Sequence, residues 1–307
     1  MERRFDGRVA VITGAGRGLG RAYAELLASK GAKVLVNDNG SAMAGDGVQE
    51  GPAQEVVQAI MAAGGEAAAS ANSVATAEGG RAIIEAALDT WGRIDILIHN
   101  AGNVRYGSLE EISHEDFRAV LDVHLTGAFN VVRPAFPVMA AASYGRVVLT
   151  GSIGGLYGTH NVVNYGVSKA GTIGLNNVIA IEGADKGITS NIILPGAVTR
   201  MAEGLDVSQY PPMGADLVAP VVGYLAHESC AVSGEMFVSM AGRVARAFVA
   251  ETQGVYRPEW SIDDVADNLN GIRDMERQWA LHPAQGGYFE HLTRSFDMAR
   301  AGLPQEG

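Results

Sequence analysis

An α/β chain built on a doubly wound parallel sheet, in one domain with a helical C-terminal extension, is predicted by three observations. Short runs rich in Val, Ile and Leu alternate with helical stretches over roughly the first 240 residues, which is the pattern of a parallel sheet covered on both faces. A glycine-rich turn joins the first strand to the first helix. Beyond about residue 250 the alternation stops and a helical apolar stripe replaces it.

The strands expected from these runs are 8–12, 33–37, 67–71, 94–98, 146–150, 189–194 and 235–239. Between them, a helix from Leu19 to Lys30 stops at Gly31, one from Ala53 to Ala63 starts after Pro52 and stops at Gly64-Gly65, and one runs from Glu78 to Trp91. Another opens at Ser113, whose spacing to Asp116 reads as a capping box. The Gly-rich segment from Asn39 to Gly51 is longer than a tight connection and reads either as a mobile loop or as a surface insertion. From Ser261 a second cap, with Asp264, opens a helix carrying Ile262, Val265, Leu269, Ile272, Met275 and Trp279 at steps of three and four. That stripe packs either on its own subunit or on a neighbour. The expected division is therefore a domain over 1–250 and an extension over 251–307.

The turn Thr13 to Gly20 places Gly14, Arg17, Gly18, Leu19 and Gly20 between strand and helix, so the free N–H groups opening that helix face an anion such as a diphosphate. This is a Rossmann-type arrangement. Asp38 follows the second strand, 24 residues after Gly14. A carboxylate there accepts from adenosine ribose hydroxyls and repels a 2′-phosphate, which favours NAD over NADP; its alternative is a turn residue before Asn39-Gly40. Arg17 leans the other way if it meets that phosphate, and is otherwise a solvated charge.

Tyr165 and Lys169 stand four residues apart, on one helical face, with Ser152 thirteen residues upstream at the end of an apolar run. A cation beside the phenol favours tyrosinate and brings its proton transfer toward neutral pH, while the serine hydroxyl holds a reacting oxygen. That set suits hydride exchange between an alcohol and a nicotinamide.

Taken together, Gly14/Gly18/Gly20, Asn100-Ala101-Gly102, Ser152, Tyr165 with Lys169, and Pro195-Gly196 resemble the short-chain dehydrogenase/reductase family over about the first 240 residues. The resemblance implies that Ser152 orients substrate oxygen, Tyr165 is the general acid/base, and Lys169 holds the nicotinamide ribose. It also implies that Asn100, Ala101 and Gly102 support the cofactor region, that Asn72 and Ser73 meet the adenine, and that 195–200, Val198 included, lies beside the nicotinamide. Family members are commonly dimers or tetramers, so a homo-dimer or homo-tetramer is expected.

Gly16 to Tyr23, Val36-Asn37-Asp38, Val123-His124-Leu125, Tyr144-Gly145-Arg146, Ala180 to Gly183 and His227 to Cys230 are similar to the (3R)-hydroxyacyl-CoA dehydrogenase part of multifunctional enzymes of type 2, a branch that also counts 17β-hydroxysteroid dehydrogenases. His124 stands where most of the family has Asn and reads as a proton relay or as a buried structural histidine. His99 replaces the usual Asn before Asn100, and Asn103 to Tyr106 lacks the acidic residue common in the branch. In the family the stretch 199–220, with Met201, Tyr210, Pro211, Pro212 and Met213, forms a lid over the substrate. Those side chains suit an apolar substrate body or serve as ordinary core contacts.

A net charge of −11 argues against a nucleic-acid partner. One cysteine, Cys230, forms no internal disulfide and fits a reducing compartment. No apolar run approaches membrane-spanning length, no signal-like start is present, and the last residues are not a peroxisomal Ser-Lys-Leu address, so a cytoplasmic protein without a membrane partner is expected. No metal-ligand spacing occurs. The expectation is an NAD-dependent oxidoreductase acting on a secondary alcohol or ketone attached to a large apolar group, such as a 3-hydroxyacyl-CoA or hydroxysteroid. The alternatives are a related alcohol dehydrogenase or ketoreductase with a small, terpenoid or aromatic substrate, a non-redox isomerase or lyase, and a dinucleotide-binding protein without turnover.

Overall fold

The computed structural model describes residues 2–46, 51–198 and 210–302. The chain forms two compact units, Met1–Arg246 and Ala247–Gly307. In the first, β1 (Val9–Thr13), β2 (Lys33–Asn37), β3 (Glu66–Ser70), β4 (Ile96–His99), β5 (Gly145–Thr150), β6 (Ile188–Gly196), β7 (Met236–Met240) and β8 (Arg243–Ala247) form one sheet. Their order is β3-β2-β1-β4-β5-β6-β7-β8, and the pairs from β3 through β7 are parallel. β1, β4 and β5 are buried along their whole length, as strands covered on both faces must be, which explains their unbroken apolar runs.

Helices α1 (Gly18–Ser29), α2 (Pro52–Ala62) and α8 (Ala219–Ala226) bury Leu27, Ile60, Val222 and Leu225 on one face, against Ala10, Ile12 and Ile98 of the strands. In sequence order the other helices are α3 (Ala77–Trp91), α4 (His114–Leu121), α5 (Gly127–Ala141), the single turn α6 (Gly154–Tyr157) and α7 (Val163–Gly183). α3 and α5 pack closely enough that a methyl group on Gly80 would lie 2.5 Å from the Asn130 carbonyl. The chain order reverses between β1 and β4, and a crevice opens beyond the carboxyl ends of strands at such a point.

Local signals explain most boundaries. Thr76 caps α3 by accepting from Gly79 N, and Gly92 ends it at φ 71°. Ser113 caps α4 by accepting from Asp116 N at 2.9 Å, while the Asp116 carboxylate takes the Ser113 hydroxyl and Arg105. A π-helical turn, Asp122–Thr126, joins α4 to α5 and turns His124 inward. β8 is an element the sequence reading lacks. Its hairpin with β7 turns on Ala241 and Gly242, both at positive φ (49° and 79°), the geometry a two-residue hairpin needs but not the Asn-Gly signal that advertises it.

The second unit corrects the expected long helix after Ser261. Its capping box with Asp264 forms, but α9 (Ile262–Asp267) stops at Asn268, whose side-chain amide donates to the Asp264 carbonyl at 2.8 Å. Only α10 (Leu269–Ile272) follows. Trp279 belongs to β10 (Gln278–Trp279), antiparallel to β9 (Glu251–Thr252), and Ile262, Val265, Leu269 and Met275 are exposed rather than aligned on one stripe. α11 (Gly287–Gly302) completes this unit.

At the amino ends of the strands, Asp95 is 1% exposed and receives Arg8 at 3.0 Å, Arg93 at 2.6 Å and the Val9 amide at 2.9 Å. Asp95→Ala leaves Arg93, one arm of Arg8 and the Val9 amide without this acceptor. Urea unfolding is expected to report a loss of about 3 kcal/mol.

Candidate active site

The cleft at the switch point is lined by Gly14, Arg17, Gly18, Leu19, Asp38, Asn72, Ser73, Asn100, Ala101, Gly102, His124, Tyr165, Lys169 and Pro195 and has a volume of about 440 Å³. Its floor is a joint between β1 and β4. The Thr13 hydroxyl accepts from Asn100 N at 3.1 Å and Ala101 N at 3.2 Å, which leaves its own hydrogen for His99 Nδ1, 3.0 Å away. Asn100 Nδ2 donates to the Gly14 carbonyl at 2.9 Å, so the amide ties the glycine turn to the end of β4.

That turn has no room for a side chain at Gly14 or Gly20. A methyl group on Gly14 would come within 2.7 Å of Ala101, and one on Gly20 within 2.2 Å of the Gly14 carbonyl. Gly14 and Gly18 also sit at φ 63° and 54°. α1 opens with no side-chain cap from Arg17 and no acidic residue in its first turn. Its first N–H groups are therefore available to an anion, and this cradle fits the diphosphate of a dinucleotide.

Asp38 takes the turn role, with both carboxylate oxygens engaged by backbone amides. Oδ2 accepts from Gly16 N at 2.9 Å, bracing the glycine turn, and Oδ1 accepts from Gly40 N at 2.8 Å in a local turn. Beside it, Asn37 Nδ2 donates to the carbonyls of Ser70 (3.1 Å) and Asn72 (2.9 Å), which fixes the segment bearing Asn72 and Ser73. Arg17 is exposed. Three predicted cofactor contacts and the predicted catalytic Ser152 lie off the cleft lining. Gly20 is turned toward Gly14 and Asn100, Gly196 packs on Met240, and Val198 is 41% exposed with its amide donating to the Met213 carbonyl at 2.7 Å. Of the expected lid, Met201 falls outside the described residues; Tyr210, Pro211 and Pro212 are exposed, and Met213 is half-buried.

At the other end, α7 presents Tyr165 and Lys169 one turn apart, and Ser152 follows β5. Ser152 Oγ accepts from Gly154 N at 3.0 Å. Burial raises the Tyr165 phenol above its ordinary pKa, and a hydrogen bond with Ser152 opposes that rise. Lys169 is only 3% exposed, and burial lowers its amine to about 7. Nζ donates to the Thr150 carbonyl at 2.5 Å and stands 5.5 Å from the centre of the Tyr165 ring. The expected lowering of the phenol by the ammonium is thus absent from the free protein, because desolvation pushes both groups toward their neutral forms.

His124 is buried edge-on against Tyr165, with ring centres 5.2 Å apart at 83°. Its Nε2 meets the Asn103 backbone, 3.1 Å from N and 2.8 Å from O, while Nδ1 has no protein partner. Burial and then the charge of Lys169 hold its pKa well below the ordinary histidine value. The same causes, against a smaller opposing effect of the His124 and Val123 backbone, bring His99 to about 3. Thr13, Asn37, Thr150 and Asn164 were not singled out from the sequence; each acts through partners distant in the chain. Among the described residues no group of three or more His, Cys, Asp or Glu could hold a metal ion, and no helix is long and apolar enough to cross a membrane.

Residues 8–208 match the family model for short chain dehydrogenase. Peroxisomal multifunctional enzyme type 2 of Drosophila melanogaster is 45% identical over 303 residues, covering 95% of this chain and 50% of that protein. A putative short-chain type dehydrogenase/reductase of Mycobacterium tuberculosis is 42% identical over 274 residues, 87% of this chain and 94% of its own length. The crystal structure of a short chain dehydrogenase from Mycobacterium avium superposes with a TM-score of 0.77 at 36% identity, over 88% of this chain and 97% of that one. The full-length Drosophila multifunctional enzyme gives 0.77 at 38% identity over 95% of this chain and 50% of its own. The chain spans about half the length of the multifunctional relative.

An amine titrating near 7 when folded and near 10.5 when exposed binds fewer protons in the folded state across that interval. Its desolvation penalty is constant below pH 7 and fades as pH rises toward 10.5, so stability increases with pH there. Relative to Lys169→Met, the cofactor-free wild type should gain on the order of a few kcal/mol between pH 7 and pH 10 in denaturant titrations. Parallel pH profiles for the two proteins would contradict a buried, protonatable amine.

Proposed function

The chain belongs to the short-chain dehydrogenase family, and from that premise we propose that it is an NAD(H)-dependent oxidoreductase exchanging hydride with a secondary alcohol or ketone on a large, mainly apolar substrate. A 3-hydroxyacyl-CoA or a hydroxysteroid heads the candidates. One observation carries the reading: a half-buried phenol one helical turn from a buried amine lines the same cleft as a glycine turn and an uncapped helix start that suit an anion.

The first N–H groups of α1 would hold the diphosphate, Asp38 the adenosine ribose hydroxyls, and Asn72 with Ser73 the adenine. A bound nicotinamide dinucleotide supplies the hydride acceptor or donor. Ser152 fixes the substrate oxygen, and Tyr165 takes its proton during oxidation or returns it during reduction. Lys169, as the family resemblance implies, holds the nicotinamide ribose. Ribose hydroxyls and a nascent phenolate would each favour the charged amine, reversing the desolvation found in the free protein.

The acyl-CoA reading rests on the branch resemblance and on the 45% identity to a multifunctional enzyme type 2, of which the chain covers half. A second reading is favoured by Tyr106, a 63% exposed phenol near Tyr165, in a segment that lacks the acid common in the branch. An aromatic or terpenoid alcohol would suit an aromatic residue in that segment. Val167, Val178 and Ile181 share an exposed face of α7, which supports self-association as a dimer or tetramer. Buried Cys230 is free, in keeping with a reducing compartment such as the cytoplasm.

Tyr165→Phe is expected to lower kcat by about a thousandfold, the scale of a lost general acid/base, with dinucleotide affinity changed little in fluorescence titration. Near-normal turnover would refute the assignment. Wild type should prefer NAD, and Asp38→Ala should narrow the NAD/NADP ratio of kcat/KM at least about tenfold, since ~1–4 kcal/mol of charge repulsion is removed. A wild type that already favours NADP would overturn the argument from Asp38. Product analysis over alcohols, ketones and acyl thioesters, with absorbance at 340 nm, separates redox turnover from isomerase or lyase chemistry.

A further inference from the structure

Between β4 and α4, Asn103 and Arg105 line one flank of the cleft. Arg105 uses its whole guanidinium there. Nε donates to the Ala44 carbonyl at 2.9 Å, Nη2 meets Asp46 at 2.8 Å, and Nη1 meets Asp116 of α4 at 2.8 Å. Next to it, Val104 N donates to the Met43 carbonyl at 3.1 Å, and a methyl group on Gly45 would lie 2.6 Å from Asn103 Nδ2. The described part of the segment expected to be mobile or merely inserted is therefore docked, with Ser41 and Gly45 forming the cleft wall next to Asp38.

The same residue faces the chemistry through its backbone. The Arg105 carbonyl accepts from Asn164 Nδ2 at 3.0 Å, and that amide also donates to the Asp116 carbonyl at 3.2 Å. Asn164 is fully buried, and its Oδ1 accepts from Tyr165 N at 2.8 Å. A continuous series of bonds runs from the wall at residues 42–46, through Arg105 and Asn164, to the first turn of the helix carrying Tyr165.

We propose that Arg105 is a positioning residue that fixes the 41–46 wall of the dinucleotide cleft and, through Asn164, the placement of Tyr165, so that one residue governs both cofactor affinity and the catalytic phenol. The proposal rests on the reading of the cleft as a dinucleotide site. Its physical basis is the planar fork of arginine, which holds three acceptors in fixed directions where a lysine would hold them as a single point charge.

The test measures NADH affinity by fluorescence titration and kcat at saturating NAD with one substrate alcohol. Arg105→Met is expected to weaken NADH binding about tenfold and to lower kcat at saturation, with Arg105→Lys between it and wild type. Asp46→Asn, which loosens only the wall, should raise the dissociation constant more than it lowers kcat. Asn164→Asp, which removes the donor beside Tyr165, should do the reverse. That split supports the proposal, because general loss of stability would move both readouts together.

Variants that melt earlier yet keep wild-type affinity and kcat would overturn it and leave the reading of the cleft intact. If wild type itself binds no dinucleotide, that reading falls and this inference with it. Should Arg105→Met fail to fold, Arg105→Lys, Asp46→Asn and Asn164→Asp carry the same comparison, and unchanged affinity and kcat in all three would overturn the proposal.

Discussion

A primary amine buried to 3% exposure, held by the Thr150 carbonyl, is the constraint around which the site is arranged. Its desolvation opposes charge, and the same environment keeps His99 and His124 neutral. The charge state of Lys169 is therefore open to whatever oxygens enter the cleft. The phenol of Tyr165 shares the condition: burial raises its pKa and Ser152 offsets part of that rise. Proton affinity at this end of the cleft is a property of the occupied site more than of the free protein.

The sheet serves that arrangement by bringing three strand ends to one crevice. Thr13 at the end of β1 joins Asn100 and Ala101 after β4, and Thr150 ends β5 beneath Lys169. The π-helical turn then sets His124 against Tyr165, and Gly102 leaves the imagined space of its side chain to that imidazole, 2.5 Å away. Each contact joins segments far apart in sequence. The parallel sheet is what makes them neighbours.

Much of this was legible from local chemistry. Continuous apolar runs marked the buried strands, Gly31 and Gly64-Gly65 marked helix ends, and four-residue spacing placed Tyr165 and Lys169 on one face. What stayed hidden depends on partners the local pattern does not name. The Thr13–His99 bond spans 86 positions and the Arg105–Ala44 bond 61. The apolar spacing after Ser261 was compatible with one helix, but the helix stops at Asn268, whose side-chain amide also bonds the Asp264 carbonyl. The direction of the Tyr165 shift was missed because spacing supplies the neighbouring cation but not the loss of water around both groups.

Both oxygens of Asp38 are already engaged by the backbone of Gly16 and Gly40. An incoming sugar hydroxyl pair would therefore trade places with, or share, amide donors instead of meeting a bare carboxylate. On the proposed reading, such an exchange would yield little net tightness and a large penalty for any anion in the same place, making the residue a filter more than an anchor. The loop it braces is in shape before anything arrives, so ordering of that loop belongs to folding and not to association.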